Sequence, residues 1–336
     1  MVRAHPQEFK IVALAVRSNL AAASILGREF GAKVYSGEDG ALRAVEENDA
    51  DVVLVATVGL SGLKPTMAAI KKGMSVALAT KEVLVAAGAL VMGAASAAGV
   101  QVIPVDSEHS AIFQCMQCSP AGSVSRLVLT ASGGPFLDGP DDLDGVTPEQ
   151  ALNHPSWRMG PKVTVDSATM MNKGFEIIEA RWLFGLPEEK IDVVVHPESI
   201  VHSLVDFCDG ATLAQLSLPD MRVPIQYALS WPARIPAERA RLDLASIGAL
   251  TFRAPDETRF PALAIAREAL RAGGAKTAAM SAADEVAVAR FLAGEIRFGD
   301  IVRIASDVVE KAPSGDPGTI DEVLEIDREA RSLARG

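Results

Sequence analysis

The chain has 336 residues, and its 49% hydrophobic and 22% charged content is typical of a folded globular protein rather than a disordered one. Its formal net charge of -11 argues against the basic face that nucleic acid or an anionic membrane requires, so we expect neither as a partner. Any anionic ligand must then be held by a few local cations.

Cysteine usage and the N-terminus bear on the cellular compartment. The first ten residues, MVRAHPQEFK, contain no apolar run of the kind found in secretory signals. The three cysteines, Cys115, Cys118 and Cys208, are too few for a disulfide framework. Cys115 and Cys118 form a CxxC pair, which alone is weak evidence for zinc or redox chemistry, and we interpret both as helix residues. We therefore expect a cytoplasmic protein.

Short β-branched runs alternate with helical patterns in the first third of the chain. The runs are FKIVALAV, DVVLVATV, SVALA and VQVIPVD, and the helical patterns cover 19–30, 63–72 and 82–98. This alternation predicts βαβ units with a parallel sheet, and hence an α/β fold. The uncharged stretch 83–105 is rich in Ala and Gly and holds Ser96, Gln101 and Pro104, so we predict a helix and a buried strand there rather than a membrane span.

The pattern changes from about Val124 onward. Separated strand-like runs, VSRLVLTA, KVTVD, IDVVVHP, SIVHSLVDF and ATLAQLSL, predict a mostly antiparallel α+β region. Between the first two lies SGGPFLDGPDDLDG, a stretch rich in turn residues, and loops of that length are usually functional lids or disordered.

The last third begins with a proline-rich stretch and ends in helical patterns. Pro224 to Pro261 carries five prolines and little periodicity, which indicates a surface connection. Helical spacing then returns at 262–272, 277–293, 298–311 and 320–333. We predict a small helical domain at the end of the chain.

Two acidic residues follow the last strand of the parallel region. In PVDSEH, Asp106 follows an apolar strand and Glu108 opens the next helix, so both carboxylates should lie at the carboxyl end of a parallel strand, where open α/β sheets bind ligands. Helix capping would need only one of them. Two close carboxylates repel each other unless a cation or a shared proton lies between them, which leaves a divalent metal as one physical option.

A second polar cluster lies in VTVDSATMMNKGFEIIEARWLF. Ser167 could cap a helix there, and Asn172, Lys173 and Glu176 fall on one helix face because residues three and four apart are neighbours. The simpler interpretation is a solvated face with a Lys173–Glu176 ion pair. The functional one is a phosphate contact from Ser167, Asn172 and Lys173, with Glu176 as a third oxygen ligand for a metal.

Two further motifs could contribute to a ligand site. LTASGGPF ends a strand in Ser132 and two glycines, whose unhindered amides could approach a phosphate, although such a turn is more often only a turn. HPSWRMG places His154 and Trp157 at the end of the long loop, where an aromatic lid over a substrate is plausible. The other histidines lack such context.

Taken together, PVDSEHSAIFQ, LTASGGPF, HPSWRMG, KVTVDSATMMNKGFEIIEARWLF, VVHPESIVHSLV and LAQLSLPDMRVPI resemble the 1-deoxy-D-xylulose 5-phosphate reductoisomerase family in order and spacing. The resemblance runs from about Pro6 to the C-terminus. It implies an NADPH- and metal-dependent oxidoreductase and isomerase of isoprene biosynthesis. A retro-aldol cleavage and aldol rejoining would rearrange the sugar phosphate, and hydride from NADPH would reduce the product to 2-C-methyl-D-erythritol 4-phosphate.

The resemblance also implies a fold, a partner and cofactors. The partner is a second copy of the chain in a homodimer. The cofactors are NADPH and a divalent metal, Mg²⁺ or Mn²⁺, with Co²⁺ as a further option. The expected domains are a Rossmann-like NADPH-binding domain at 1–105, a catalytic α+β domain at 106–235 with a lid loop at about 133–160, a linker at 236–260, and a C-terminal four-helix domain at 261–336.

Residue roles follow from the same resemblance. The metal ligands are Asp106, Glu108 and Glu176, and Lys81 and His154 join them as catalytic residues. The substrate-binding residues are Ser107, Ser132, His154, Trp157, Ser167, Asn172, Lys173 and Met221. The cofactor-binding residues are Arg17, Ser18, Asn19, Lys81, Glu82, Met159 and Gly160.

Several departures from the family pattern concern the cofactor. The family opens with a strand and a G-x-T-G-S-I-G loop that cradles the pyrophosphate on a helix N-terminus. This chain begins MVRAHPQEF, which matches the end of the helix after that loop, so we expect the first strand and loop to be missing and NADPH binding to be weak or lost. Arg17 replaces a common Gly, Thr80 and Val83 replace the usual Asn and Ser, and Ala131 replaces a Gly.

An alternative interpretation stays open on these grounds. A diverged or truncated homologue could bind a metal and a sugar phosphate without NADPH reduction, as a lyase or a non-catalytic binding protein. A glycine loop encoded upstream would discriminate between the two.

Overall fold

The structure is a computed structural model that describes residues 1–117, 119–120, 122–140, 142–237 and 240–336. It divides into two compact units, each built from three chain segments. The first unit contains Met1–Val83, Val91–Asp106 and Met221–Ala237, and the second contains Leu84–Leu90, Ser107–Asp220 and Glu238–Gly336. The division into four parts at 105, 235 and 260 stays a prediction.

The first unit contains parallel strands that alternate with helices, as the sequence predicts. The strands are β1 (Ala13–Val16), β2 (Lys33–Ser36), β3 (Val52–Val55), β4 (Ser75–Leu78) and β5 (Val102–Pro104). The helices are α1 (Leu20–Phe30), α2 (Gly40–Glu46), α3 (Leu63–Lys71), the ends of α4 (Glu82–Ala98), and α9 (Arg222–Ser230). β1 pairs with β2, and β3, β4 and β5 form a separate sheet in that order, all in parallel.

The apolar stretch 83–105 forms a helix and a strand, as expected. α4 is capped by Gly99, which takes a left-handed conformation, and β5 begins three residues after this glycine. Burial explains the missing charges, because Val83, Val91 and Ile103 are all buried. In the part of the chain that the structure describes, no helix has the length and apolar character needed to cross a bilayer.

The second unit is built on a mixed four-stranded sheet. Its strands are β6 (Val124–Ala131), β7 (Ile191–Val195), β8 (Val201–Phe207) and β9 (Thr212–Leu216), in the order β7-β6-β8-β9. β6 and β7 are parallel, whereas β8 is antiparallel to both β6 and β9. The mostly antiparallel α+β region is therefore confirmed.

Helices cover this sheet and continue to the C-terminus. They are α5 (Ser107–Met116), α6 (Pro148–Ala151), α7 (Pro161–Thr169), α8 (Met171–Phe184), α10 (Leu244–Ile247), α11 (Ala262–Ala272), α12 (Gly274–Leu292), α13 (Phe298–Lys311) and α14 (Ile320–Arg335). The last four match the predicted helical patterns. In α13, Phe298, Ile301, Ala305 and Val308 are buried at helical spacing, which shows how one apolar stripe directs the helix to the core. Cys115 lies in α5 as expected, and Cys118 is outside the described residues.

Two predictions about secondary structure are wrong. KVTVD, predicted as a strand, belongs to α7, because Pro161 suits the first turn of a helix and the Thr164 hydroxyl donates to the Gly160 carbonyl, 2.9 Å away. Ser167 therefore lies inside α7 and does not cap the next helix. Pro224 to Pro261 is also not wholly a connection, because α9 accommodates Pro224 in its first turn.

Gly88 is required by the close approach of α4 and α8 within the second unit. A Cβ at this position would lie 2.2 Å from Cδ1 of Trp182, far inside van der Waals contact. A Cβ built at Gly93, on the same helix, would have no neighbouring heavy atom of the described residues within 4 Å.

We therefore expect Gly88→Ala to destabilise the protein by about 1 to 3 kcal/mol through overpacking. Gly93→Ala is the matched control and should be neutral or stabilising by up to about 1 kcal/mol, because alanine favours a helix. Denaturant unfolding of both variants would measure the difference. Equal stabilities would show that Trp182 moves aside at no cost.

Candidate active site

Two glutamates from different helices share one lysine in the second unit. Glu108 lies in the first turn of α5, and Glu176 and Lys173 lie one turn apart on α8. The ammonium of Lys173 lies 3.1 Å from Glu108 Oε1 and also contacts Glu176 Oε2. The Glu176 side chain is 1% exposed and that of Lys173 is 5% exposed, so this cluster is largely shielded from water.

The residues predicted to share one face of α8 do come together, and the structure distinguishes between the two interpretations of that face. Asn172, Lys173 and Glu176 do converge, since Asn172 Nδ2 donates to Glu176 Oε1 over 2.5 Å. The simpler interpretation of a solvated Lys173–Glu176 pair fails, because both side chains are buried. Periodicity identifies neighbours on a helix but does not tell which face is covered.

His109 supports this cluster and had no role in the sequence interpretation. Its Nε2–H donates to the main-chain carbonyl of Glu176 over 2.9 Å, and its Nδ1 lies 3.3 Å from Glu179 Oε2. The ring also stacks on Phe184. Two features of the sequence bear on this contact: His109 directly follows Glu108, and Phe175, Ile178 and Trp182 have the apolar spacing of a buried helix. Neither feature identifies Glu176 or Glu179 as the partner of His109.

Asp106 and Lys81 form an ion pair in the first unit. Lys81 Nζ lies 2.7 Å from Asp106 Oδ2, and both side chains are largely buried. Asp106 is also two residues before Glu108. Covalent geometry alone therefore keeps the two Cα atoms within about 7 Å of each other.

Ser132, His154 and Ser167 meet at a second polar point of the second unit. His154 Nε2 lies 3.0 Å from Ser132 Oγ and 3.2 Å from Ser167 Oγ. His154 Nδ1 accepts hydrogen bonds from the amides of Ser156 and Trp157, so Nε2 carries the ring proton. Burial lowers the pKa of His154, which favours this neutral form.

The glycine turn after β6 packs directly against α7. Gly134 has a φ of +67°, and a Cβ there would lie 2.7 Å from the main-chain oxygen of Ser167. Its amide donates to Ser132 Oγ over 3.2 Å. Only glycine satisfies both the left-handed conformation and this approach, which keeps Ser132 beside Ser167.

The other predicted residues of the second unit lie next to these two clusters in the sequence. Trp157 is half-buried and its ring packs edge-on against His202, whose pKa burial lowers to about 4. Ser107 Oγ donates to Glu108 Oε2 over 2.6 Å. Met159 and Gly160 immediately precede α7.

The predicted cofactor residues belong mainly to the first unit. Arg17 and Ser18 are exposed after β1, and Asn19 caps α1 by accepting from the amide of Ala22. Lys81 and Glu82 lie at the start of α4, and Met221 immediately precedes α9.

The chemistry of the glutamate cluster suits a hard divalent cation. Carboxylate oxygens are the ligands that Mg²⁺ and Mn²⁺ prefer. A carboxylate as buried as that of Glu176 must be balanced by positive charge, and Lys173 supplies one such charge. The residues present therefore fit the metal that the resemblance implies.

Comparison with known proteins gives consistent matches along the chain. Three family models match: DXP reductoisomerase C-terminal domain at 216–333, 1-deoxy-D-xylulose 5-phosphate reductoisomerase C-terminal domain at 102–184, and 1-deoxy-D-xylulose 5-phosphate reductoisomerase at 22–88.

Individual relatives and a solved structure agree with the family models. The 1-deoxy-D-xylulose 5-phosphate reductoisomerase of Thermomicrobium roseum is 49% identical and covers 100% of this chain and 92% of its own length. That of Symbiobacterium thermophilum is 52% identical over 91% of this chain and 79% of its own. A crystal structure of DOX-P reductoisomerase in complex with NADPH, fosmidomycin and magnesium has a TM-score of 0.92 and 37% identity, and covers 99% of this chain and 93% of that one.

The burial of Lys173 changes what its removal should do. A surface lysine would contribute little to stability, but Lys173→Met removes a largely buried ammonium that two glutamates share. We expect the free energy of unfolding to fall by about 3 kcal/mol or more. The exposed Lys190 is the matched control, and Lys190→Met should stay within about 0.5 kcal/mol of the wild type. Equal losses in the two variants would contradict the buried ion pair.

Proposed function

Because this chain belongs to the 1-deoxy-D-xylulose 5-phosphate reductoisomerase family, we propose that the pair Glu108 and Glu176 and the Ser132–His154–Ser167 point form the two halves of that active site. The enzyme rearranges 1-deoxy-D-xylulose 5-phosphate and reduces the product to 2-C-methyl-D-erythritol 4-phosphate, a step of isoprene biosynthesis. It is an NADP-dependent oxidoreductase that uses a divalent metal. The observation that carries the site proposal is the pairing of Glu108 and the buried Glu176 on one ammonium.

The metal ligands in this proposal are Glu108, Glu176 and Asp106. The covalent proximity of Asp106 to Glu108 supports its inclusion, and its pairing with Lys81 shows that this carboxylate already faces a cation. A bound Mg²⁺ or Mn²⁺ would supply Lewis acidity that stabilises negative charge on the substrate oxygens. The His109 contact to the Glu176 main chain would fix the α8 ligand against α5.

The phosphate of the substrate is assigned to Ser132, Ser167, Asn172 and Lys173. Two hydroxyls and the Nε2–H of His154 point to one place, which is the donor chemistry that a phosphate oxygen needs. His154 keeps its proton on Nε2 because its Nδ1 accepts two amides, so it can hold that proton toward the ligand. Ser107 beside Glu108 would bind a hydroxyl of the carbon skeleton.

The segment around Trp157 would exclude water from the reacting carbons. The amide of Trp157 donates a hydrogen bond to His154 Nδ1. A phosphate that contacts His154 would therefore also influence the position of the Trp157 indole. Met159, Gly160 and Met221 are assigned to the nicotinamide and substrate surfaces. When bound, NADPH would supply the hydride.

Lys81 and the loop after β1 complete the proposal. Lys81 would hold a proton close to the Asp106 carboxylate, and with Glu82 it would also contribute to cofactor binding. Arg17, Ser18 and Asn19 are exposed and polar, which suits contacts to a cofactor phosphate. No observation on the described residues favours the alternative of a lyase or a non-catalytic binding protein.

We expect Asp106→Asn, Glu108→Gln and Glu176→Gln each to lower turnover by more than about 100-fold, beyond the effect usual for outer-shell partners of a metal. The measurements are NADPH oxidation in the presence of substrate, and Mn²⁺ binding followed by electron paramagnetic resonance. Glu310→Gln, at an exposed position of α13, is the matched control. Unchanged Mn²⁺ affinity in all three variants would exclude these ligands.

We also propose that the protein is a homodimer in the cytoplasm. A chain with only three cysteines, of which Cys208 is free, suits a reducing compartment. Among the described strands of this sheet, β9 pairs only with β8, and Thr212, Leu213 and Ala214 are exposed along it. An open strand edge with an exposed leucine is a ready surface for a second copy.

Leu213→Lys should weaken this dimer, because each copy would bring a lysine to the shared edge. Sedimentation velocity would show a shift toward monomer. Val58→Lys replaces another exposed apolar residue, in the first unit, and should leave the dimer unchanged. A wild-type chain that sediments as a monomer would contradict the homodimer, and a dimeric Leu213→Lys variant would contradict this edge.

A further inference from the structure

Three charged side chains meet inside the second unit, apart from the residues assigned above. Lys162 Nζ lies 2.6 Å from Asp166 Oδ2, one turn along α7, and 2.9 Å from Asp284 Oδ2 on α12. Asp166 is 2% exposed and Asp284 is 0% exposed. Lys162 also covers the ring of Phe175 on α8, with Nζ 4.6 Å from the ring centroid.

The charges of this cluster do not balance if both carboxyl groups are ionised. Two buried carboxylates and one ammonium leave one surplus negative charge, and close carboxylates resist ionising together. Burial raises the pKa of Asp166 well above its ordinary value, and the charge of Asp284 raises it further. Among the described residues, the only charged groups acting on Asp166 are Lys162 from its own helix and Asp284 from α12.

Two carboxylate oxygens that lack a hydrogen-bond donor also indicate a shared proton. Asp166 Oδ1 and Asp284 Oδ1 are buried and have no hydrogen-bond donor among the described residues. A carboxyl proton on one aspartate would provide the donor that the other lacks. One shared proton therefore corrects both the charge and the missing donor.

The cluster is connected to the phosphate point through a single peptide bond. Asp166 immediately precedes Ser167, whose hydroxyl contacts His154 and whose main-chain oxygen packs against Gly134. Any displacement of α7 from α12 would therefore move Ser167 relative to the glycine turn.

We propose that Lys162, Asp166 and Asp284 form a one-proton joint between α7 and α12, and that this joint positions Ser167 for phosphate binding. The inference rests on the phosphate role proposed above. These are positioning residues, since none of them belongs to the set assigned to the substrate. Loss of the shared proton at alkaline pH would place two negative charges in the joint and loosen α7.

The sign of the pH dependence follows from the raised pKa. The pKa of Asp166 in the folded protein lies above the unfolded value of about 4. The contribution of its protonation to folding stability is therefore fully present at a pH below that unfolded value. It is lost as the pH rises through the folded value. Stability and anion affinity should therefore fall together toward alkaline pH.

Asp284→Asn tests the joint directly, because the amide keeps the shape of the side chain, removes one charge and can donate to Asp166. The probe is inorganic sulfate, whose own charge stays constant near neutral pH, measured by isothermal titration calorimetry from about pH 6 to about pH 9. We expect wild-type affinity to fall by roughly tenfold across this range and the variant to lose much less. Asp307→Asn, at an exposed position of α13, should behave as the wild type.

A second pair of variants keeps the test decisive if sulfate binds poorly. Lys162→Met should lower the midpoint of thermal unfolding, and adding Asp284→Asn should restore most of the loss. The joint is overturned if Asp284→Asn shows the wild-type pH dependence of both affinity and unfolding, or if the double variant is as unstable as Lys162→Met. Failure of the wild type to bind sulfate at any pH would instead count against the phosphate site, and the unfolding measurements would still decide on the joint.

Discussion

The balance of charge around Glu176 is the constraint on which the rest of the site depends. A carboxylate removed from water is tolerated only when a cation and hydrogen-bond donors surround it. Here Lys173 supplies the cation and Asn172 supplies a donor, and both come from the same helix as Glu176. Because Lys173 also contacts Glu108, this balance additionally fixes α5 against α8. The two helices are then joined a second time by His109.

A break in the helical stretch 161–184 separates the two halves of the site. Met170 takes a left-handed conformation with a φ of 63°, which ends α7 and starts α8. A non-glycine residue in this region is uncommon and carries a conformational cost. Its burial in the core offsets that cost, because the side chain packs with the apolar residues under the sheet. Ser167 consequently belongs to one helix, and Lys173 and Glu176 to the next.

The sequence allowed the order of elements and the convergence on α8 to be predicted, because both follow from local periodicity. Alternating β-branched runs identified β1, β3, β4 and β5 but missed β2, and spacing of three and four residues placed Asn172, Lys173 and Glu176 together. The prediction from local periodicity failed at α7, because Val163, Thr164 and Val165 form a β-like pattern that tertiary packing overrides.

Burial and long-range partners were the other features that the sequence could not provide. Lys173 looked like a surface residue because nothing local indicates that Glu108, far earlier in the chain, would come to meet it. The same reason hid His109 and its partner Glu179, and the meeting of Asp166 with Asp284. Such pairings depend on the packing of elements that are distant in sequence, and a single chain carries no local trace of them.

The way in which the chain is shared between the two units has a consequence for how this protein can be divided. Each unit is made of three separate segments, and α4 contributes Leu84–Leu90 to one unit and its two ends to the other. No single cut of the backbone therefore releases either unit as an intact piece. Neither unit can be transferred to another protein as one continuous segment. Limited proteolysis at one site should give two fragments, neither of which is one complete unit. Substitutions can therefore change the sequence of either unit during evolution, but recombination cannot readily exchange one unit for another.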